Sequence, residues 1–207
     1  MRDSKTISER EIEYLMSRDK IFRGLVDQLG YIEYEKRDLD FRSLVKIIVG
    51  QQLSGKAAGS IYGRLVNSLG GWDYFYPDAL VNICPSTLRQ AGISKSKMKF
   101  IKDLAYAYQE TPDLTTNWES MTDEEALEEI QKLNGFGPWS SSIVTLFYLG
   151  RKDIFPKADT TLNKAYYLLY GDYLSHSMIE LDWARPYRGL LAMYFWKWMD
   201  SGVEKSA

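Results

Sequence analysis

Three observations predict an all-α fold of two helical lobes for this chain. Apolar residues recur at helical spacing in segment after segment, and no segment sustains period-two alternation. Capping and terminating residues bracket those segments at short intervals. With 207 residues, 45% of them hydrophobic, the chain is longer than one simple bundle and can bury a core without disulfides or metals.

The helices, about ten with short connections, follow in order. Ser8-x-x-Glu11 has capping-box spacing before the first. Asp19 caps a second, in which Ile21, Phe22, Leu25, Val26 and Leu29 share one face and Gly30 ends the run. Residues 31–40 are polar, charged and aperiodic, so they read as a connector. Phe41, Leu44, Val45 and Ile48 then share a face up to Gly50, and Ser54 caps a helix over 55–69 closed by Gly70-Gly71. Short helical turns at 79–81 and 86–90 are separated by Pro85. Ser94 starts a long helix to about Tyr108, and Pro112 breaks it. Thr122-x-x-Glu125 is a second capping box, for a helix over 123–132. Pro138 suits the first position of a helix running to about Leu149. Asp159 precedes a helix over 160–170, and segments 179–184 and 187–199 complete the set.

Composition narrows the function classes. The single cysteine, Cys84, excludes a disulfide framework, a cysteine-ligated zinc site and an iron–sulfur cluster. A single histidine, His176, excludes a multi-histidine metal site. The first twenty residues carry charge and no apolar h-region, and no apolar run approaches a membrane span. The expectation is a non-secreted protein without a membrane partner, cytoplasmic in a prokaryote or nuclear in a eukaryote. The net charge of −2 argues against a generally basic nucleic-acid coat protein. Charge is uneven, however. Residues 89–102 hold five bases and no acid, and 110–129 hold eight acids and no base. Two solvated helix faces of opposite sign are the plainer reading, and one basic binding face is the other.

Residues 131–144 read QKLNGFGPWSSSIV, which places a Gly-x-Gly turn between an acidic helix and a helix opened by proline. Gly135 and Gly137 allow positive φ and close backbone approach. The N–H groups at the start of the next helix then form an anion site made of backbone, suited to a DNA phosphate. A tight turn that uses glycines only to reverse the chain is the plainer alternative. Asp159, in FPKADTTL, stands 22 residues after Gly137. By itself it reads as an ordinary N-cap.

Taken together these blocks resemble the helix-hairpin-helix DNA glycosylases. The hairpin pattern L-x-G-x-G-x-x-(T/S) followed by F-P-x-x-D carries the likeness. FRSLVKIIVGQQLSGKAA, LRQAGISKSKMKFIKDLA and WARPYRGLLAMYFW are similar to the 3-methyladenine DNA glycosylase II branch, in matching order over roughly residues 15–200. The resemblance implies a helical core domain at 40–155 that ends in the hairpin. Residues 1–39 would join 156–207 in a second lobe, with the active-site cleft between the two.

The same resemblance implies roles for individual residues. Asp159 would stabilise positive charge on the sugar and orient the attacking water, and a helix start suits a carboxylate. Trp139 and Trp196 match pocket positions, where aromatic faces attract a cationic alkylpurine. Core packing is the alternative for both, and Phe147, Tyr148, Tyr166 and Tyr167 read as core. Members that also cut the strand carry a lysine where this chain has Trp139, so no amine stands there to form a Schiff base. Gln52 or Leu53 would fill the gap left by the extruded base. Gly135, Gly137, Ser140, Ser54 and Lys56 would meet the DNA backbone, with a capping role equally open to Ser54. No cofactor is required by this chemistry. Backbone carbonyls of Gln131, Leu133 and Phe136 match positions that hold one Na+ or K+. The expected partner is duplex DNA containing damaged bases, bound by a monomer. The implied activity is monofunctional excision of alkylated purines. A non-enzymatic DNA-binding module and a bifunctional glycosylase/lyase for oxidised bases are the alternatives.

Overall fold

The computed structural model describes residues 9–175 and 177–202. Ser8 of the first capping box and His176 lie outside the described residues. Among these residues there are α-helices and 3-10 turns and no strand ladder. The helices are α1 Glu9–Arg18, α2 Lys20–Leu29, α3 Phe41–Gly50, α4 Gly55–Ser68, α5 Pro77–Asn82, α6 Pro85–Ala91, α7 Lys95–Glu110, α8 Asp123–Gln131, α9 Pro138–Phe147, α10 Thr160–Tyr170 and α11 Arg188–Asp200. The chain divides into two compact units, Asp38–Ser141 and a second made of Met1–Arg37 with Ser142–Ala207. The division falls inside α9, whereas the sequence reading sets it near residue 155.

In the first unit α3 is the central element. Its termini are explicit: Asp40 Oδ1 accepts from the Ser43 N–H at 2.7 Å, and Ser43 Oγ reciprocates towards the Asp40 N–H at 3.0 Å. Six of its ten residues are buried, among them Leu44, Val45 and Ile48. It packs on α4 and α7, and α5 packs on α7. Phe75, Leu80, Leu104 and Trp118 complete the core there. Pro85 is the first residue of α6 and not a separator, because a first helical position needs no N–H bond.

The second unit closes around α2, α10 and α11. Phe22, Leu25, Leu162, Leu191, Tyr194 and Phe195 meet in one cluster. Asp19 caps α2 by accepting from the Phe22 N–H at 2.6 Å. Gly189 lets α11 approach its neighbour closely. Its N–H donates to the Lys152 carbonyl at 2.8 Å, and a Cβ there would lie 2.5 Å from Leu146 Cδ1. Next to it, Arg188 holds Asp153 bidentately at 2.9 and 2.8 Å. Segment 179–184 is 3-10 helix, tighter than the α-helix its sequence suggests.

Candidate functional site

The hairpin joins α8 to α9. Thr122 and Glu125 form the expected capping box at the start of α8. After Gln131 the chain turns through two short bonds, Leu133 N–H to the Ile130 carbonyl at 3.1 Å and Phe136 N–H to the Leu133 carbonyl at 3.0 Å. Gly135 has φ +90°, and a Cβ there would lie 2.4 Å from Cγ of Phe100. Glycine is therefore required twice, by the turn and by the ring that covers it. Gly137 differs from the expectation that both glycines supply positive φ. Its φ lies outside that region, and a Cβ would meet nothing within 4 Å. Gly137 is exposed, and its backbone is open to an incoming group. The N-terminus of α9 follows directly, with its first-turn N–H groups directed out of the helix.

A second turn lies between α3 and α4. The Leu53 N–H donates to the Gly50 carbonyl at 3.2 Å, with Gln51 at φ −53° and ψ 131° and Gln52 at φ +57°. That is a type II geometry with glutamine where glycine normally stands. Gln52 and Leu53 are both exposed. Ser54 caps α4 through the Ala57 N–H at 3.3 Å, and Lys56 is exposed on the first turn of that helix.

Two side chains brace this turn. Gln51 Nε2 donates to the Gly135 carbonyl at 2.7 Å and to Ser140 Oγ at 2.9 Å. Ser140 is only 3% exposed, so its hydroxyl supports the hairpin from inside and does not project outwards. Lys97 Nζ donates to the Val49 carbonyl at 2.8 Å and the Gln51 carbonyl at 2.7 Å, satisfying acceptors at the end of α3. Burial pushes the Lys97 ammonium below its ordinary pKa. The basic stretch 89–102 is thus partly committed within its own unit, while Arg89, Lys95 and Lys99 are exposed. Lys102 donates to the Val81 carbonyl at 3.0 Å, and Lys99 pairs with Asp103.

Asp159 and Trp196 belong to the other unit. Asp159 is half-buried and caps α10, its Oδ1 accepting from the Leu162 N–H at 3.0 Å. Asn163 Nδ2 donates to the carbonyls of Lys157 and Asp159, both at 2.9 Å, and so fixes the turn that presents the carboxylate. Asn163 was not singled out from sequence, although its place one turn along the helix was a usable signal. Trp196 is partly buried, with Phe147 tilted against it at 5.8 Å between ring centroids. Arg37 lies 4.7 Å from the centre of that Phe147 ring. Tyr148 and Tyr166 are core, whereas Tyr167 is 41% exposed and stacks on Tyr173, against the expectation that it packs inside. Trp139, half-buried, occupies the second position of α9.

No cluster of three or more His, Cys, Asp or Glu suited to a metal occurs among the described residues. A cation at the hairpin would rest on carbonyls. Gln131, Leu133 and Phe136 line one open depression, and the Leu133 carbonyl, which accepts from the Phe136 N–H, keeps a second lone pair. Among the described residues no helix is long and apolar enough to cross a membrane.

Comparison with known proteins places these features in one family. A family model described as HhH-GPD superfamily base excision DNA repair protein matches residues 45–179, a span holding both turns and Asp159. The chain belongs to the HhH-GPD superfamily. The alkylbase DNA glycosidase-like protein mag2 of Schizosaccharomyces pombe is 27% identical over 198 residues, covering 91% of this chain and 92% of that protein. The crystal structure of a DNA-3-methyladenine glycosidase from Bacillus halodurans aligns with TM-score 0.76 at 28% identity, covering 97% of this chain and 94% of that one. The 3-methyladenine DNA glycosylase Mag1 of S. pombe, in complex with abasic DNA, aligns with TM-score 0.79 at 23% identity over 91% and 95% of the two chains, a likeness of fold. The HhH-GPD fold is thus all-α here.

Proposed function

We propose that this protein is a monofunctional DNA N-glycosylase that removes alkylated purines from duplex DNA by base flipping. The observation that carries the reading is a conjunction: a Gly-x-Gly hairpin opening α9, and 22 residues later a carboxylate at the N-cap of α10. Two similar proteins spanning more than nine-tenths of the chain carry the names alkylbase DNA glycosidase-like protein and DNA-3-methyladenine glycosidase, which supports the same class.

The hairpin backbone and the start of α9 anchor a phosphate. Such contacts fix register without reading sequence. Gln52, with Leu53 beside it, enters the stack as the damaged nucleotide leaves it. Gln52 leads in this role because the chain keeps a side chain at a positive φ that glycine would occupy without strain. Aromatic faces attract a cationic purine, which is already a good leaving group, and Trp139 and Trp196 are each assigned that kind of contact with the base. Breaking the C1′–N bond sends its electron pair out with the base and leaves positive charge at C1′. Asp159 stabilises that charge and orients a water, whose oxygen forms the new C1′–O bond as a proton passes to solvent. A monovalent cation held by the carbonyls of Gln131, Leu133 and Phe136 would add positive potential towards the anchored phosphate.

Incubation with methylated duplex DNA tests the reading. Base release is expected, with strand breaks only after hot alkali and no borohydride-trapped adduct, since Trp139 offers no amine. Breaks before alkali, or a trapped adduct, would establish a lyase. Retained DNA binding without base release would leave a binding module.

A further inference from the structure

The side chains that brace the Gly50–Leu53 turn connect it to the hairpin through a closed set of contacts. Gln51 reaches the Gly135 carbonyl and Ser140 Oγ, using both N–H donors of its amide. Lys97 holds the Val49 and Gln51 carbonyls. Phe100, one turn further along α7, covers Gly135. Each of the three elements, turn, hairpin and α7, is therefore tied to the other two. All these contacts lie within Asp38–Ser141.

We propose that Gln51 and Lys97 are positioning residues that lock the Gln52–Leu53 turn in register with the hairpin, so that anchoring a phosphate and displacing a base occur as one registered event. This rests on the DNA-binding reading above. Neither side chain needs to touch DNA. Gln51 is half-buried against the hairpin, and the ammonium of Lys97 is engaged by two carbonyls. The lock matters because small errors of placement are costly: a displacement of about 1 Å can lower a rate by roughly a hundredfold.

The test separates displacement from anchoring. The probe is a duplex with a stable abasic analogue and 2-aminopurine opposite it, whose fluorescence rises when the base is unstacked. Gln51→Met keeps the length of the side chain and removes both donors. It should bind the duplex within about threefold of wild type yet lose at least half of the fluorescence rise. Excision of an alkylpurine should fall about tenfold or more in a fully paired duplex. Opposite an abasic analogue, where extrusion costs least, it should fall less than threefold. Lys97→Met should behave alike with an unchanged salt slope of binding, and Lys97→Arg, which can still donate to two carbonyls, should recover most of the rise. Equal losses on paired and unpaired bases, or an intact fluorescence rise in Gln51→Met, would overturn the role of Gln51. A salt slope reduced by about one in Lys97→Met would show a direct phosphate contact and overturn that of Lys97. Thermal melts accompany each variant, and a Lys97→Arg protein that melts as wild type without recovering the rise also overturns the lock. Wild type that binds and unstacks the probe but excises nothing would refute the glycosylase reading and leave the lock standing.

Discussion

Replacing Gln52 by glycine should make the protein more stable and less active. Gln52 has φ +57°, at the position of a type II turn where a Cβ crowds the backbone. For an L-residue that conformation costs about 1–2 kcal/mol. Glycine removes the cost but loses roughly 0.5–1 kcal/mol through the extra freedom of its unfolded chain. The balance is a gain of about 0.5–1 kcal/mol, or a rise in Tm of roughly 1–4 °C for a chain of this size. Gln52→Ala keeps the Cβ and the strain, so its Tm should stay close to wild type. Both variants lack the side chain proposed to enter the base stack. Unstacking a base costs a few kcal/mol, and each about 1.4 kcal/mol is tenfold in rate, so excision from a paired duplex should fall about tenfold or more in both. Thermal melts and single-turnover base release measure the two effects. A glycine variant that melts below the alanine variant refutes the strain argument. Unchanged excision in both variants transfers the wedge to Leu53.

Asp159→Asn should fold as wild type, because asparagine caps a helix as well as aspartate, and should bind DNA while excision is almost abolished; release within a few-fold of wild type would remove Asp159 from the mechanism. The two hairpin glycines should separate cleanly. Gly135→Ala meets Phe100 and keeps a strained φ, costing about 2–4 kcal/mol and visibly lowering Tm. Gly137→Ala has room, so it should melt as wild type yet bind all duplexes, damaged or not, about equally weakly. Burial pushes the Tyr34 phenol up to about 12, and its hydroxyl donates to the Leu146 carbonyl at 2.7 Å. The unfolded phenol ionises near its ordinary value of about 10, so this contribution to stability is full below that pH and is lost as pH rises towards 12. Tyr34→Phe should accordingly show a smaller fall in Tm between those limits, and an identical fall would refute the assignment.

Where local chemistry decides structure, the sequence was legible. Asp19, Ser54, Ser94 and Thr122 each cap the helix that their spacing suggested, because a cap needs only a side-chain oxygen and an N–H two or three residues on. The division of the chain was harder to read. It falls within α9, whose residues Ser140–Ser142 and Thr145 are small, polar and buried. Small hydroxyl residues give no hydrophobic period, so the helix shows its proline start and little of its surroundings. Tyr167 illustrates the reverse error. An aromatic residue in an apolar helix read as core, yet it stacks on Tyr173 and is exposed, as is Leu168 beside it.

At the candidate site, Gly135 and Asp159 were legible because their chemistry is local, whereas Gln51, Lys97 and Phe100 act through partners far along the chain. Gln51 and Gly135 are 84 residues apart, and no spacing rule connects them. The basic stretch is only partly legible for the same reason: Arg89, Lys95 and Lys99 are exposed, as a solvated face requires. Five bases without an acid suggested either a solvated face or a binding face, and neither describes Lys97 and Lys102, whose ammonium groups terminate on backbone carbonyls. Charge counted along a sequence overstates the charge available to a ligand, since a lysine that closes a helix end is already used. On the proposed reading, what the first unit would offer DNA at the two turns is mostly uncharged: an exposed glycine, the N–H groups of α9 and a glutamine at the tip of a strained turn. A net charge of −2 is compatible with that design, because backbone donors attract a phosphate without adding to the formal charge.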